Sequence, residues 1–308
     1  MLGPRSRRSL LLAVPAALVG ALLAAPSAHA GLLFPESGGS PNANSIHTLY
    51  IMIFVLALII FIGVEGLLVY SLLKYRARKG RVAAQIHGNT PLEIGWTVGA
   101  AAILIFITAF TFIKLGAIRD PKPSMTGIGK QAAVMDGELY ASTDQPTPKG
   151  PTLNIHVDGQ QYIWAYQYPG TPNVRAYVDM VVPVGETVIL TITSDDVAHS
   201  WWIPKLGGKM DAVPGYVNKT WFQIPPSNLD NGPGKATYQG HPAVIYKGQC
   251  AELCGRNHAN MIARVIGLSP DDYNAWRRQK AAQLKQAEQA AAAQQKALQA
   301  QQQQATSQ

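Results

Sequence analysis

A chain of 308 residues could hold two domains, but 47% of it is hydrophobic and only 14% is charged, so much of its length is not available to a soluble core. The net charge of +8 comes from basic residues spread over the N-terminal segment, one short internal stretch and the tail, which gives no recognition patch for nucleic acid.

Residues 1–30 carry Arg5, Arg7 and Arg8, an apolar stretch from Leu10 to Ala25 and an Ala-His-Ala ending at Ala30. This is the pattern of a secretory signal peptide, with the mature chain expected to begin at Gly31. An uncleaved anchor would equally export the chain beyond it, although the stretch is short for crossing a bilayer.

Residues 31–118 are expected to form a transmembrane helix hairpin. Leu49 to Leu73 is almost wholly apolar, with Glu65 the exception, and Ile94 to Leu115 is free of charge until Lys114. Each is long enough, at ~1.5 Å per residue, to span a hydrocarbon core. Lys74, Arg76, Arg78, Lys79 and Arg81 lie between them with no acidic residue before Glu93, which puts this loop in the cytoplasm and both mature termini on the periplasmic side. Thr90-Pro91-Leu92-Glu93 reads as a capping box with Thr90 at the cap. Residues 119–150, with several Pro, Gly and Ser, read as a linker.

From residue 151 to 268 the period changes. Runs such as Tyr162 to Tyr168, Thr187 to Thr193, Thr220 to Ile224 and Ala263 to Ile266 alternate with Gly and Pro turns, as in an all-β sandwich or barrel. Residues 269–308 turn helical and then become an Ala/Gln-rich tail, read as a solvated or frayed helix without chemistry.

Cys250, Cys254, His258 and Met261 bring two thiols, an imidazole and a thioether into one loop. Soft sulfur with imidazole favours copper over magnesium or calcium, and a thioether is a poor zinc ligand. One copper needs only one cysteine; a second lets both sulfurs bridge two ions. A short disulfide loop would account for the cysteines but for neither His258 nor Met261. Two coppers also need a second imidazole, for which His199 is a candidate that spacing alone would not select.

These residues, with Cys250-Ala251-Glu252-Leu253-Cys254-Gly255, His199-Ser200-Trp201 and Lys209-Met210-Asp211-Ala212-Val213-Pro214-Gly215, resemble cytochrome c oxidase subunit II, the copper-containing subunit of bacterial haem-copper oxidases. The likeness runs from about Gly31 to Leu268. It implies a membrane-anchored all-β protein, the two-helix hairpin followed by a periplasmic cupredoxin-like Greek-key β-barrel, in the bacterial plasma membrane. It implies a binuclear copper centre, CuA, on the side chains of His199, Cys250, Cys254, His258 and Met261 and the backbone carbonyl of Glu252. The Glu252 carboxylate would serve a magnesium site shared with subunit I.

The activity so implied is that of cytochrome c oxidase. Electrons from cytochrome c would enter CuA and pass to a haem held only in subunit I, where oxygen is reduced to water with proton translocation; subunit III is a further expected partner. Tyr162 stands where the family has the Trp that receives the electron, and Gln167 where it has an acid. Trp164, Tyr166 and Tyr168 are read as packing, Asp179 and Asp196 match acidic positions of the cytochrome c docking surface, and Glu93 matches the mouth of a proton pathway. Glu65 is expected to face a partner or water. A copper-free quinol oxidase subunit and a membrane-anchored copper carrier are the alternatives; the first would lack the ligands, and the second would not need two spans and an aromatic entry segment.

Overall fold

The computed structural model describes residues 34–126, apart from 78, 79, 81, 83 and 84, together with residues 150–168 and 174–306. The expected signal peptide and most of the expected linker lie outside the described residues.

Two long helices come first, α1 (Pro41–Lys74) and α2 (Thr90–Arg119), both apolar and long enough to cross a membrane. Each exceeds its expected span. The proline ring suits the first turn of α1, and the polar residues that dilute hydropathy there are used locally: the Ser45 hydroxyl donates to Pro41 O at 3.1 Å, and that of Thr48 to Asn44 O at 2.9 Å. At the start of α2 the expected cap is displaced by one residue. The cap is Asn89, whose side-chain oxygen accepts from Leu92 N at 3.2 Å while its own N–H donates to Glu93 Oε1 at 3.3 Å. Asn and Thr are both good caps, so residue type alone did not choose between neighbours.

The outer domain contains β1 (Leu153–Gln160), β2 (Ile163–Tyr168), β3 (Val174–Tyr177), β4 (Asp179–Pro183), β5 (Thr187–Ser194), β6 (His199–Trp201), β7 (Met210–Ala212), β8 (Asn218–Gln223), a single helical turn α3 (Asn228–Asn231), β9 (Lys235–Tyr238), β10 (His241–Gln249) and β11 (Ile262–Leu268). One sheet has the order β3-β2-β1-β5-β8 and the other β4-β11-β10-β9, with β6 and β7 pairing apart. Two pairs, β1 with β5 and β11 with β4, are parallel, and the others are antiparallel. This is a cupredoxin-like sandwich with its core between the sheets.

Alternation along the strands fills that core. Leu153, Ile155 and Val157 of β1 and Trp164, Tyr166 and Tyr168 of β2 are buried, meeting Val181, Val265 and Ile266 of the other sheet in one cluster. Tyr168 also bolts the sheets together: its hydroxyl donates to Val181 O at 2.9 Å and accepts from Val181 N at 2.7 Å. The aromatic run from Trp164 to Tyr168 is therefore packing.

The hairpin is anchored to β8. Asn42 Nδ2 donates to Trp221 O at 2.8 Å, Gln223 N to Ser40 Oγ at 3.1 Å, and Trp221 Nε1 to Ile118 O at 2.9 Å. Of the expected linker, residues 120–126 are described and pack on the sandwich. Gln223 Nε2 donates to Pro123 O, Ser124 Oγ to Glu186 Oε1, and Thr126 is hydrogen-bonded to the same carboxylate. After β11 comes α4 (Pro270–Thr306), a continuous helix exposed along its distal part, the solvated form of the helical tail that was expected, in keeping with the high helix propensity of Ala and Gln. Ser269 caps it by accepting from Asp272 N, and Tyr273 and Trp276 fix its first turns beneath Tyr168.

Candidate metal centre

Three segments meet at one end of the sandwich. The β10–β11 loop brings Cys250, Cys254, His258 and Met261. Strand β6 brings His199, and the β1–β2 turn brings Gln161 and Tyr162. The cysteine loop is closed at its base, where Cys250 N donates to Met261 O at 2.9 Å, and is stitched to β6 by Ala251 N donating to Ser200 O at 2.9 Å. A 3-10 turn, His258–Asn260, then turns His258 and Met261 back toward the cysteines.

The resulting distances are short and the donors are chemically alike. Cys250 Sγ lies 3.8 Å from His199 Nδ1, 3.3 Å from the Glu252 carbonyl oxygen and 3.9 Å from Cys254 Sγ. Cys254 Sγ lies 3.5 Å from His258 Nδ1 and 3.8 Å from Met261 Sδ. The two sulfurs are not joined, so the disulfide alternative is not what the chain adopts here. His199, Cys250, Cys254 and Met261 are buried, and His258 is half-buried. Among the described residues, His199, Cys250 and Cys254 form a group of ligand atoms close enough to hold a metal ion.

Electrostatics favour a cation at the cluster. Burial, and then the adjacent Cys250 sulfur, push the Cys254 thiol up to about 11. Two neighbouring buried sulfurs cannot both ionise without a cation between them, and a soft metal ion supplies that charge. His199 Nε2 donates to Asp196 Oδ1 at 2.9 Å, which fixes the ring and leaves the Nδ1 lone pair facing the cysteines. Desolvation opposes ionisation of Asp196, but the hydrogen bonds from His199, Gln161 N and Val197 N outweigh it and hold the carboxyl down at about 2. The donor set fits copper: two thiols, two imidazoles, a thioether and a carbonyl.

Other singled-out residues fall in several places. The Glu252 carboxylate is exposed while its carbonyl faces the sulfurs. Tyr162 is half-buried, and its hydroxyl lies so near the loop that a Cβ on Gly255, itself at φ +129, would sit 2.7 Å from it. Gln167 is half-buried in β2, opposite Arg175 in the ladder. Asp179 is paired within the chain, its carboxylate accepting from Arg264 Nε at 2.5 Å and Nη2 at 3.0 Å. Glu93 sits at the far end of α2, roughly 39 Å of helix from Arg119 at the usual rise. Gln161 was given no role by sequence reasoning, and Asp196 only that of a docking-surface acid; both make contacts between segments far apart in the chain.

The fold and the site together define a membrane-anchored cupredoxin-like protein with a largely buried cluster of sulfur and imidazole groups that could hold a metal ion. A family model described as cytochrome c oxidase subunit II, periplasmic domain, matches residues 173–267, and one described as the transmembrane domain of the same subunit matches residues 27–113. A cytochrome c oxidase subunit 2 from Thermostichus vulcanus is 30% identical over 279 residues, covering 82% of this chain and 79% of its own length. One from Alkalihalophilus pseudofirmus is 33% identical over 239 residues, 77% of this chain; the chain spans 58% of that relative's length. Among solved structures, the periplasmic domain of subunit II of cytochrome oxidase from Bradyrhizobium japonicum is 27% identical, with a TM-score of 0.35, covering 42% of this chain and 92% of that one. The chain belongs to the cytochrome c oxidase subunit II family.

Proposed function

We propose that the chain is the electron-entry subunit of a cytochrome c oxidase: it takes electrons singly from cytochrome c into a binuclear copper centre and delivers them to the haem of subunit I, where oxygen is reduced to water as protons are moved. The observation that carries this reading is the pair of buried, unjoined cysteines with two imidazoles, a thioether and a carbonyl gathered around them. When bound there, two copper ions supply a one-electron acceptor. The protein's own part is to hold the ligands, to exclude water and to orient the His199 ring through Asp196, so that little has to rearrange when charge arrives.

Tyr162 is proposed as the entry point, supported by its place against the ligand loop. Glu252, with its carbonyl turned inward and its carboxylate outward, suits a second role in a magnesium site shared with subunit I. Glu93 is proposed for proton uptake, beyond its cap contact with Asn89. Asp196 remains a candidate for guiding a basic cytochrome c, whereas Arg264 offsets the charge of Asp179. The basic loop between the helices supports a periplasmic β domain, and the uncovered apolar faces of α1 and α2 support lodging against lipid and subunits I and III.

The test is to load the full chain in detergent with copper and to measure copper per chain together with the EPR spectrum. Two coppers sharing one unpaired electron are expected. A single copper with an ordinary one-ion spectrum would overturn the assignment.

A further inference from the structure

Gln161, in the turn between β1 and β2, makes two contacts that none of the ligand assignments requires. Its side-chain Nε2 donates to the carbonyl of Cys254 at 2.6 Å, and its backbone N–H donates to Asp196 Oδ2 at 2.7 Å. Asp196 in turn accepts from His199 through its other oxygen. One residue therefore joins the loop that carries the cysteines to the segment that carries the first imidazole. Its neighbours reinforce the join: Gln160 Nε2 donates to Asp195 Oδ2 at 2.5 Å, and Asp195 N to Gly159 O at 3.1 Å.

The other contacts between the two segments, Gln249 N to Trp202 O, Ala251 N to Ser200 O and the 3.8 Å approach of Cys250 Sγ to His199 Nδ1, all lie at the near end of the cysteine loop. His199 is fixed by β6, and the stitch from Ala251 to Ser200 holds only the near end of the cysteine loop. Cys254 sits further along, beyond the exposed Glu252 and Leu253, where no strand pairing reaches it. We propose that Gln161 is a positioning residue that clasps Cys254 to the Asp196–His199 pair, so that the ligand set is assembled before metal arrives. The inference rests on the reading of this cluster as a copper centre, but the clasp belongs to the metal-free chain and is tested there.

A clasp that holds the loop shut keeps both thiols away from solvent reagents. The readout is the rate at which a disulfide-exchange reagent labels Cys250 and Cys254 in the full-length, metal-free chain in detergent. Gln161→Leu keeps the bulk and removes the donor, and labelling should rise about fivefold, the factor carried by one hydrogen bond of ordinary net strength. Gln161→Glu keeps the shape but turns an acceptor toward the Cys254 carbonyl, and should raise it further. Asp196→Ala frees the other end, and because either break opens the same clasp, the double variant should add less than twofold to the larger single effect.

A positioning role also predicts a changed copper hyperfine pattern in Gln161→Leu after loading, with the copper content retained. Circular dichroism and the unfolding midpoint of each variant identify any general loss of fold, and Gln161→Glu then serves as the second probe of the same contact. Labelling at the wild-type rate in both Gln161 variants would overturn the clasp, as would multiplicative effects in the double variant. If wild type binds no copper pair while Gln161→Leu still unmasks the thiols, the clasp stands and the copper reading fails.

Discussion

The metal centre and the helical hairpin are both put together from parts far apart in sequence, yet they are completed by different means. At the metal centre each ligand-bearing segment is hydrogen-bonded to another segment of the same chain: the cysteine loop to β6, His199 to Asp196, and the β1–β2 turn to both. Among the described residues the hairpin is held to the sandwich at one end, by β8 and by the turn that carries Lys205, and along its length large apolar side chains such as Phe61, Leu67, Ile105 and Phe112 are uncovered. A set of donors held by its own chain can meet a metal ion with little reorganisation. A pair of helices without a covered face needs lipid and partner helices to satisfy it.

Removing a sulfur breaks the self-contained side outright. Cys250→Ser or Cys254→Ser should abolish the two-copper EPR spectrum of the loaded chain while the sandwich stays folded, since serine is close to cysteine in size and the two cysteines are a small part of a core that runs from Leu153 to Trp276. Persistence of the wild-type spectrum in either variant would remove that cysteine from the ligand set.

The hairpin side is best broken at the end where it meets the sandwich. A Cβ on Gly39 would stand 2.4 Å from the Lys205 carbonyl oxygen, a backbone atom that cannot swing away. Gly39→Ala should therefore force the junction between α1 and the sandwich apart, at a cost of about 2 kcal/mol. The expected result is faster proteolysis near residue 40 in the full chain, with the copper spectrum untouched. A copper spectrum altered along with the junction would mean that the two regions are not independent.

The electron entry proposed at Tyr162 lies between these two in kind, because Tyr162 touches the cysteine loop without being one of the proposed ligands. Tyr162→Leu should slow reduction of the copper centre by cytochrome c, by about tenfold or 1.4 kcal/mol of barrier. Complex formation and its salt dependence should stay near wild type, as no charge changes. Tyr162→Trp should be tolerated or faster. Stopped-flow reduction across a salt series checks this, and an unaltered rate in Tyr162→Leu moves the entry point to Trp164 or Trp201.

Legibility in the sequence divides along the same line. The hairpin was visible in hydropathy because a bilayer selects for composition, and the cysteine loop was visible because soft donors cluster within a few residues. Helix ends were not: α1 begins at Pro41, where polar residues dock on β8, and the cap at Asn89 competes with an equally capable neighbour at Thr90. The parallel pairing of β1 with β5 and of β4 with β11 leaves no mark on strand composition. His199 came only through resemblance, since one exported histidine looks like another. Asp196 and Gln161 are 35 residues apart, and Gln161 is 93 from Cys254, so no local pattern could have joined them.

The smallest expected effect separates an electrostatic contact from a steric one. In the metal-free chain the Asp196 carboxyl is held at about 2, against an ordinary value of 3.8, because hydrogen bonds from His199, Gln161 N and Val197 N outweigh its desolvation. A carboxyl depressed on folding contributes stability that is fully present above its unfolded value and is lost as the pH falls through the folded one. Wild type should therefore lose an increment between about pH 4 and pH 2 that Asp196→Asn, which cannot ionise, never has. The side chain is 33% exposed, so solvent screening keeps the increment below about 1 kcal/mol. Denaturant unfolding of both chains at pH 2, 3, 4 and 5 reads it as a stability difference that is constant at the upper end and shrinks at the lower. Gly39→Ala provides the contrast, because a Cβ pressed on a carbonyl oxygen does not titrate and its penalty should be the same at every pH. A gap between wild type and Asp196→Asn that stayed level down to pH 2 would show that Asp196 orients His199 by shape and not by charge.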